Sequence, residues 1–153
     1  MRMRILIEKS NRLLTLIREN EPNLTFPVVL GKCPEGHKKR EGDFRTPEGE
    51  YYICTRNEKS RYHLALGLSY PNPSDADAAL ARGEISPEQH ASVLSAHAAG
   101  KRPPWDTKLG GFIMIHGGGL ASDWTAGCIA MKNEEIEQLF ALCPMGTPVT
   151  IVP

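Results

Sequence analysis

At 153 residues, 41% of them hydrophobic, the chain has the length of a single domain over residues 1–153 with a sizeable core. Lysine plus arginine and aspartate plus glutamate number 18 each, so the formal net charge is zero, and the basic surface that a nucleic acid partner requires is not indicated. No apolar run approaches the length of a membrane span.

Behind Met1-Arg2-Met3-Arg4 the apolar run is only Ile5-Leu6-Ile7, too short for a signal-peptide core. Either a signal has been removed or the protein stays in the cytoplasm. Arg4–Lys9 and Arg12–Arg18 read as strands flanking Ser10-Asn11, the composition of a tight hairpin. Leu24–Leu30 is a third apolar run in which Pro27 marks an edge or a bulge. A Gly- and Lys-rich loop over 31–42 follows; its basic run Lys38-Lys39-Arg40 meets Glu41 and Asp43 at once and reads as solvated. Thr46-Pro47-Glu48-Gly49 then turns into a strand over Glu50–Arg56, proline presetting φ and glycine permitting a positive one.

The middle of the chain is helical. Ser74 N-caps a short helix over Asp75–Arg82 that stops at Gly83, and Ser86-Pro87-Glu88-Gln89 opens a second helix with a capping box, running to Ala99. Lys101–Lys108 returns as a loop to a short buried strand, Phe112–Ile115, with Gly127–Met131 as its neighbour. Asn133 caps a last helix over Glu134–Leu142, and Pro148–Val152 ends the chain as a strand. The fold class is mainly β: a curved, sandwich- or barrel-like sheet with a few peripheral helices, the helical insertion framing one wall of a cleft.

The chemistry concentrates in Ile115-His116-Gly117-Gly118-Gly119 and Thr125-Ala126-Gly127-Cys128-Ile129-Ala130-Met131. A thiol attacks as thiolate, and a nearby imidazole is the usual means of generating it near neutral pH. The glycine before the cysteine allows a tight turn that faces backbone N–H groups of Gly127 and Cys128 toward a developing oxyanion. Two adjacent strands set His116 and Cys128 side by side. A small buried cysteine and a satisfied core histidine would leave the same two letters. A catalytic Cys128 should alkylate quickly below pH 7, and a buried structural one should not. Zinc finds no ligand set: Cys33 and His37 lack a partner pair, and His90 and His97, seven residues apart, read as surface or packing residues. No metal and no other cofactor is indicated. With Cys128 free, the remaining Cys33, Cys54 and Cys143 allow at most one disulfide.

The same residues resemble a known family. Gly110–Gly117 with Asp123–Ala130 is similar to the active-site signature of the L,D-transpeptidase (YkuD-type) catalytic domain, in the form of its YafK-like subgroup. Gly42–Ile53, with its Thr46-Pro47-Glu48-Gly49-Glu50-Tyr51 strand entry, and Ser69-Tyr70-Pro71-Asn72 resemble further segments of the family, so the likeness runs from Ile5 to Val152. It departs at two points: Thr125 replaces a serine, and Ala130 stands where many members carry arginine, leaving Arg45, Arg61 and Lys108 as substitute cations.

The resemblance implies a cysteine acyl transfer on peptidoglycan stem tetrapeptides, in the periplasm or cell envelope, at the bond between the third-position diamino acid and the terminal D-alanine. The acceptor would be a second stem, giving a 3→3 crosslink, or an amine of an envelope protein; water in its place would make a hydrolase. Family likeness assigns the fixing of the His116 tautomer to the Gly117 carbonyl, with Asp123 as the side-chain alternative. Thr125, Trp124, Asp123, Arg45 and Tyr70 are the candidate substrate contacts. A non-catalytic wall-binding domain is the competing class, favoured by Ala130 and opposed by the intact thiol.

Overall fold

The computed structural model describes residues 2–153. Strand β1 (Met3–Glu8) alternates, with Ile5 and Ile7 fully buried between outward-facing neighbours, as a half-buried strand requires. It pairs antiparallel with β2 (Leu13–Arg18) in the register Ile5↔Leu16 and Ile7↔Leu14. The intervening turn takes four residues rather than the two read from sequence. Arg12 adopts a φ of 49° and its N–H donates to the Lys9 carbonyl at 3.1 Å. Lys9 opens the turn with its ammonium buried, donating to the carbonyls of Gly36 and Thr46 and to Glu48 at 2.8, 2.7 and 3.1 Å. This lysine ties the long 31–48 loop to the end of β1.

Strand β3 (Leu24–Pro27) is an edge strand, as its proline requires. It is followed by β4 (Gly49–Ser60), β5 (His63–Leu68), β6 (Met114–His116), β7 (Ile129–Ala130) and β8 (Pro148–Val152). All eight form one sheet in the order β3-β2-β1-β8-β4-β5-β6-β7. Strands β1 and β8 run parallel, as do β6 and β7, and the other neighbours are antiparallel. Register shifts between β4 and β5 bend the sheet. Its two ends meet where Val29, just beyond β3, bridges Ala130 of β7. The sheet is therefore a curled half-barrel around a core that includes Ile5, Leu16, Leu66, Ile115, Ile129 and Ile151.

Three helices flank the sheet. Helix α1 (Pro73–Ala81) is N-capped by Asn72 and not by Ser74: the Asn72 amide and the Asp75 carboxylate bond each other's backbone N–H, both at 2.9 Å, with Pro73 in the first turn. Helix α2 (Pro87–Ala98) has the Ser86–Gln89 capping box read from sequence. Helix α3 (Asn133–Leu142) starts one residue early, with Lys132 at the cap and no side-chain cap bond. At its other end Arg56 lies 3.8 Å over the Phe140 ring and donates to the carbonyls of Phe140 and Cys143, a cation on the negative end of the helix dipole. All four cysteines are free, so the single possible disulfide does not form. His90 pairs with Asp77 and His97 meets the carbonyls of Ser69 and Pro71, which gives both packing roles.

Candidate active site

Strand β6 ends on His116, the chain loops out through residues 117–127, and β7 returns parallel to β6 with Ile115↔Ile129 and His116↔Ala130 in register. Continued by one residue, that register sets Cys128 across from Met114, one pleat from the histidine and on the same side of the sheet. The Cys128 Sγ receives the Met114 N–H at 3.3 Å and donates to the Phe112 carbonyl at 3.3 Å. Among the described residues no hydrogen bond joins it to the imidazole. The two groups are thus diagonal neighbours, not the side-by-side pair expected from two adjacent strands.

Thr125 builds the turn before Cys128. Its backbone is tied to the 30–32 segment through Leu30 and Lys32, and its buried hydroxyl accepts the Gly127 N–H at 3.1 Å and donates to the Cys128 carbonyl at 2.7 Å. The Thr125 hydroxyl is thus engaged by the turn itself. The Gly127 N–H is consumed as well. The Cys128 N–H has no acceptor among the described residues.

His116 is buried, with Nδ1 at 2.6 Å from the Gly117 carbonyl. A carbonyl can only accept, so this nitrogen carries the proton and Nε2 keeps its lone pair. The ring stacks on Tyr62 at 4.6 Å and 21°, with Trp124 at 5.6 Å closing the other side of the cluster. Trp124 is itself fixed by Nε1–H donating to the Gly119 carbonyl at 3.0 Å. Tyr62, in the turn between β4 and β5, also accepts the Gly117 N–H on its backbone carbonyl. Asn133, read as a helix cap, uses Oδ1 to accept the Gly118 N–H at 2.9 Å, bracing the loop that follows the histidine.

Two other sequence candidates fall outside the site. Asp123 is held by Arg12 through two bonds of 3.1 and 2.8 Å and accepts the Leu30 N–H at 2.9 Å, so it anchors the loop and does not orient the imidazole. Burial opposes its charge, but the Arg12 bonds, the Leu30 N–H and the Arg12 charge outweigh that and hold the carboxyl below its usual range. Tyr70 is fully buried and donates to the Leu109 carbonyl at 2.8 Å; it belongs to the core, not to substrate. Arg45 places its guanidinium near Gly36, while its carbonyl packs on Gly127.

Ala130 is fully buried and paired with Val29 in both directions, so no cation enters from that position. Arg61 lies 5.6 Å over the Tyr62 ring, and Lys108 is exposed. One cation in the run that sequence reads as solvated is buried. Lys38 is 3% exposed, donates to Asp43 at 2.9 Å and to the Arg40 carbonyl at 3.1 Å, and its charge favours the Cys128 thiolate. Among the described residues no cluster of three or more metal-ligating side chains exists; Cys33 is exposed and His37 is engaged with Asp75 at 2.6 Å.

Burial pushes the Cys128 thiol above its ordinary value, only partly offset by the Met114 N–H and Lys38. Burial also pushes His116 down, partly offset by the Gly117 carbonyl. Both directions favour a neutral thiol beside a neutral imidazole at rest, not a preformed ion pair. Rapid alkylation below pH 7 is therefore not the expected signature. Iodoacetamide should modify Cys128 slowly at pH 6–7, with a rate rising as pH climbs beyond about 8.5, the unperturbed thiol value. A fast plateau already reached at pH 6 would show that the thiolate is populated at rest.

The family sequence model of the L,D-transpeptidase catalytic domain (YkuD) matches residues 2–151. YafK of Escherichia coli (strain K12), provisionally named an L,D-transpeptidase, is 31% identical over 108 residues, 69% of this chain and 30% of YafK. Among solved structures, the helical cell shape determining protein Pgp2 (K307A mutant) of Campylobacter jejuni superposes with a TM-score of 0.68 at 22% identity, over 97% of this chain and 46% of Pgp2. Mycobacterium tuberculosis L,D-transpeptidase 1 gives 0.57 at 12% identity, over 99% of this chain and 62% of that one. The chain thus spans about a third of YafK and under half of Pgp2, and shares its fold with both solved structures. A match over nearly the whole length, on a sheet that carries His116 and Cys128 on neighbouring strands, assigns the chain to the YkuD family of L,D-transpeptidase catalytic domains.

Proposed function

We propose that residues 1–153 work as one catalytic domain, a cysteine L,D-transpeptidase acting on peptidoglycan stem tetrapeptides in the cell envelope. The observation that carries this reading is His116 Nδ1–H fixed on the Gly117 carbonyl, which leaves Nε2 as a base one pleat from a thiol whose own N–H is unpaired. In the first step Nε2 takes the Cys128 proton as sulfur attacks the carbonyl carbon between the diamino acid and D-alanine. The Cys128 N–H holds the oxyanion; loss of one such donor typically costs about 10²–10³ in rate. Collapse breaks the C–N bond, and His116 returns the proton to the departing D-alanine amine, leaving a thioester. An amine acceptor, from a second stem or an envelope protein, then attacks the thioester and gives its proton to His116. The thiolate leaves and is reprotonated. Because thiol and imidazole start neutral, proton transfer accompanies attack and does not precede it.

The test is intact mass after incubation with a stem tetrapeptide, for the wild type and Cys128→Ala. The expected result is an acyl adduct with release of D-alanine in the wild type and neither in the variant. Addition of an amine acceptor then separates transfer from hydrolysis. An unmodified wild type that releases no D-alanine would bring forward a non-catalytic wall-binding domain.

A further inference from the structure

The chain holds four phenylalanines. Phe26 and Phe140 are buried, whereas Phe44 and Phe112 are 42% and 61% exposed. The backbone beside each of these two residues reaches the turn that carries Cys128. A Cβ on Gly127 would lie 2.8 Å from the Arg45 carbonyl and 3.1 Å from Ile113 Cδ1, so the residue following each phenylalanine packs directly against the turn that presents Cys128. Phe112 comes closer still, its carbonyl accepting from Sγ.

Both also have a φ of 57°, left-handed backbone that a bulky residue adopts only when its surroundings hold it there. The other non-glycine residues with positive φ, Arg12, Asn20 and His63, lie in or beside the turns that end strands. Phe44 and Phe112 lie in the two long loops that flank the thiol. Each ring, moreover, stands in a cation–aromatic group: Lys32 lies 5.4 Å over Phe44, and Arg102 lies 4.8 Å over Trp105, which packs on Phe112 at 4.5 Å. Lys32 and Arg102 are exposed. The exposed faces of these rings, held in strained backbone, are suited to cover a ligand.

We infer that Phe44 with Lys32, and Phe112 with Arg102, form a basic–aromatic bracket that binds the acyl donor, a short peptide with a free carboxylate. The rings cover its aliphatic part, and the two cations replace the positive charge that Ala130 cannot supply. The inference rests on the transpeptidase reading for the identity of the peptide, not for the existence of the bracket.

The test is calorimetric binding of the stem tetrapeptide and its C-terminal amide to Cys128→Ala protein, which binds without reacting. Phe44→Ala or Phe112→Ala in that background should weaken binding about tenfold, the scale of one lost aromatic contact, while Phe44→Tyr and Phe112→Tyr retain it. Lys32→Gln with Arg102→Gln should abolish a few-fold preference for the acid over the amide, a preference that fades with added salt in the parent. Melting temperatures recorded alongside identify any variant whose loss reflects unfolding, and the tyrosine pair then decides. Unchanged affinity in all bracket variants would overturn the inference, as would absence of tetrapeptide binding by Cys128→Ala itself. Ring-dependent binding with no acyl adduct in the wild type would leave the bracket standing and sink the transpeptidase reading. An adduct whose formation ignores both rings would do the reverse.

Discussion

Replacing His116 by alanine is expected to slow acyl-enzyme formation by about 10²–10⁴-fold, the range spanned by loss of a positioned general base. The effect is large because burial raises the Cys128 thiol, so little thiolate is present to act without assistance. It should also change the shape of the pH profile. In the wild type burial lowers the imidazole, so the base form is complete at neutrality and acylation falls only as pH drops below the ordinary imidazole value of about 6.5. In His116→Ala the residual rate depends on thiolate alone and should rise about tenfold per pH unit until the raised thiol titrates. Single-turnover acylation read by mass from pH 5 to 9 distinguishes the two shapes. A variant with the wild-type rate and profile would remove His116 from the proton-transfer role. Since Gly117 orients the ring through its carbonyl, no single side-chain deletion reproduces this loss by freeing the tautomer.

The elements legible in the sequence are those specified by local chemistry. The Ser86–Gln89 capping box, the edge position of Pro27 and the alternation of Ile5 and Ile7 each follow from residues within a few positions of one another. The His116–Cys128 motif is local in the same sense, because one short parallel pairing brings its two halves together. Less legible were residues whose polar atoms bond the scaffold. Thr125, Asp123 and Tyr70 sit in the right segments. Their hydrogen bonds go to Gly127 and Cys128, to Arg12 and Leu30, and to Leu109. Sequence names a donor or acceptor but not its partner.

The residues that sequence missed depend on contacts between distant segments. Tyr62 stacks on a histidine 54 positions away only because β5 pairs with β6. Lys38, inside a basic run, is buried by its own loop, which folds so that it pairs with Asp43 at 2.9 Å. Arg12 anchors Asp123 from a hairpin turn that was read as two residues and takes four. Each would have needed the fold first.

Gly127→Ala is expected to be nearly as damaging as loss of the base, for a purely geometric reason. Gly127 has a φ of 141°, where side chains are rarely tolerated, and the added methyl would stand 2.8 Å from the Arg45 carbonyl and 3.1 Å from Ile113 Cδ1. Relief requires the turn to move, and with it the Cys128 N–H and Sγ that the mechanism uses. A displacement of about 1 Å at a reacting group can cost about 10²-fold in rate, and backbone strain of this kind costs about 1–3 kcal/mol in stability. Gly119→Ala separates the two effects. Its φ is 94°, but an added methyl meets nothing within 4 Å, so it carries the strain without the collision. Chemical denaturation should therefore show both variants destabilised, while single-turnover acylation falls about 10²-fold only for Gly127→Ala. Equal loss of acylation in both would mean that the 117–124 loop, and not the seat of the thiol against Arg45, limits the reaction.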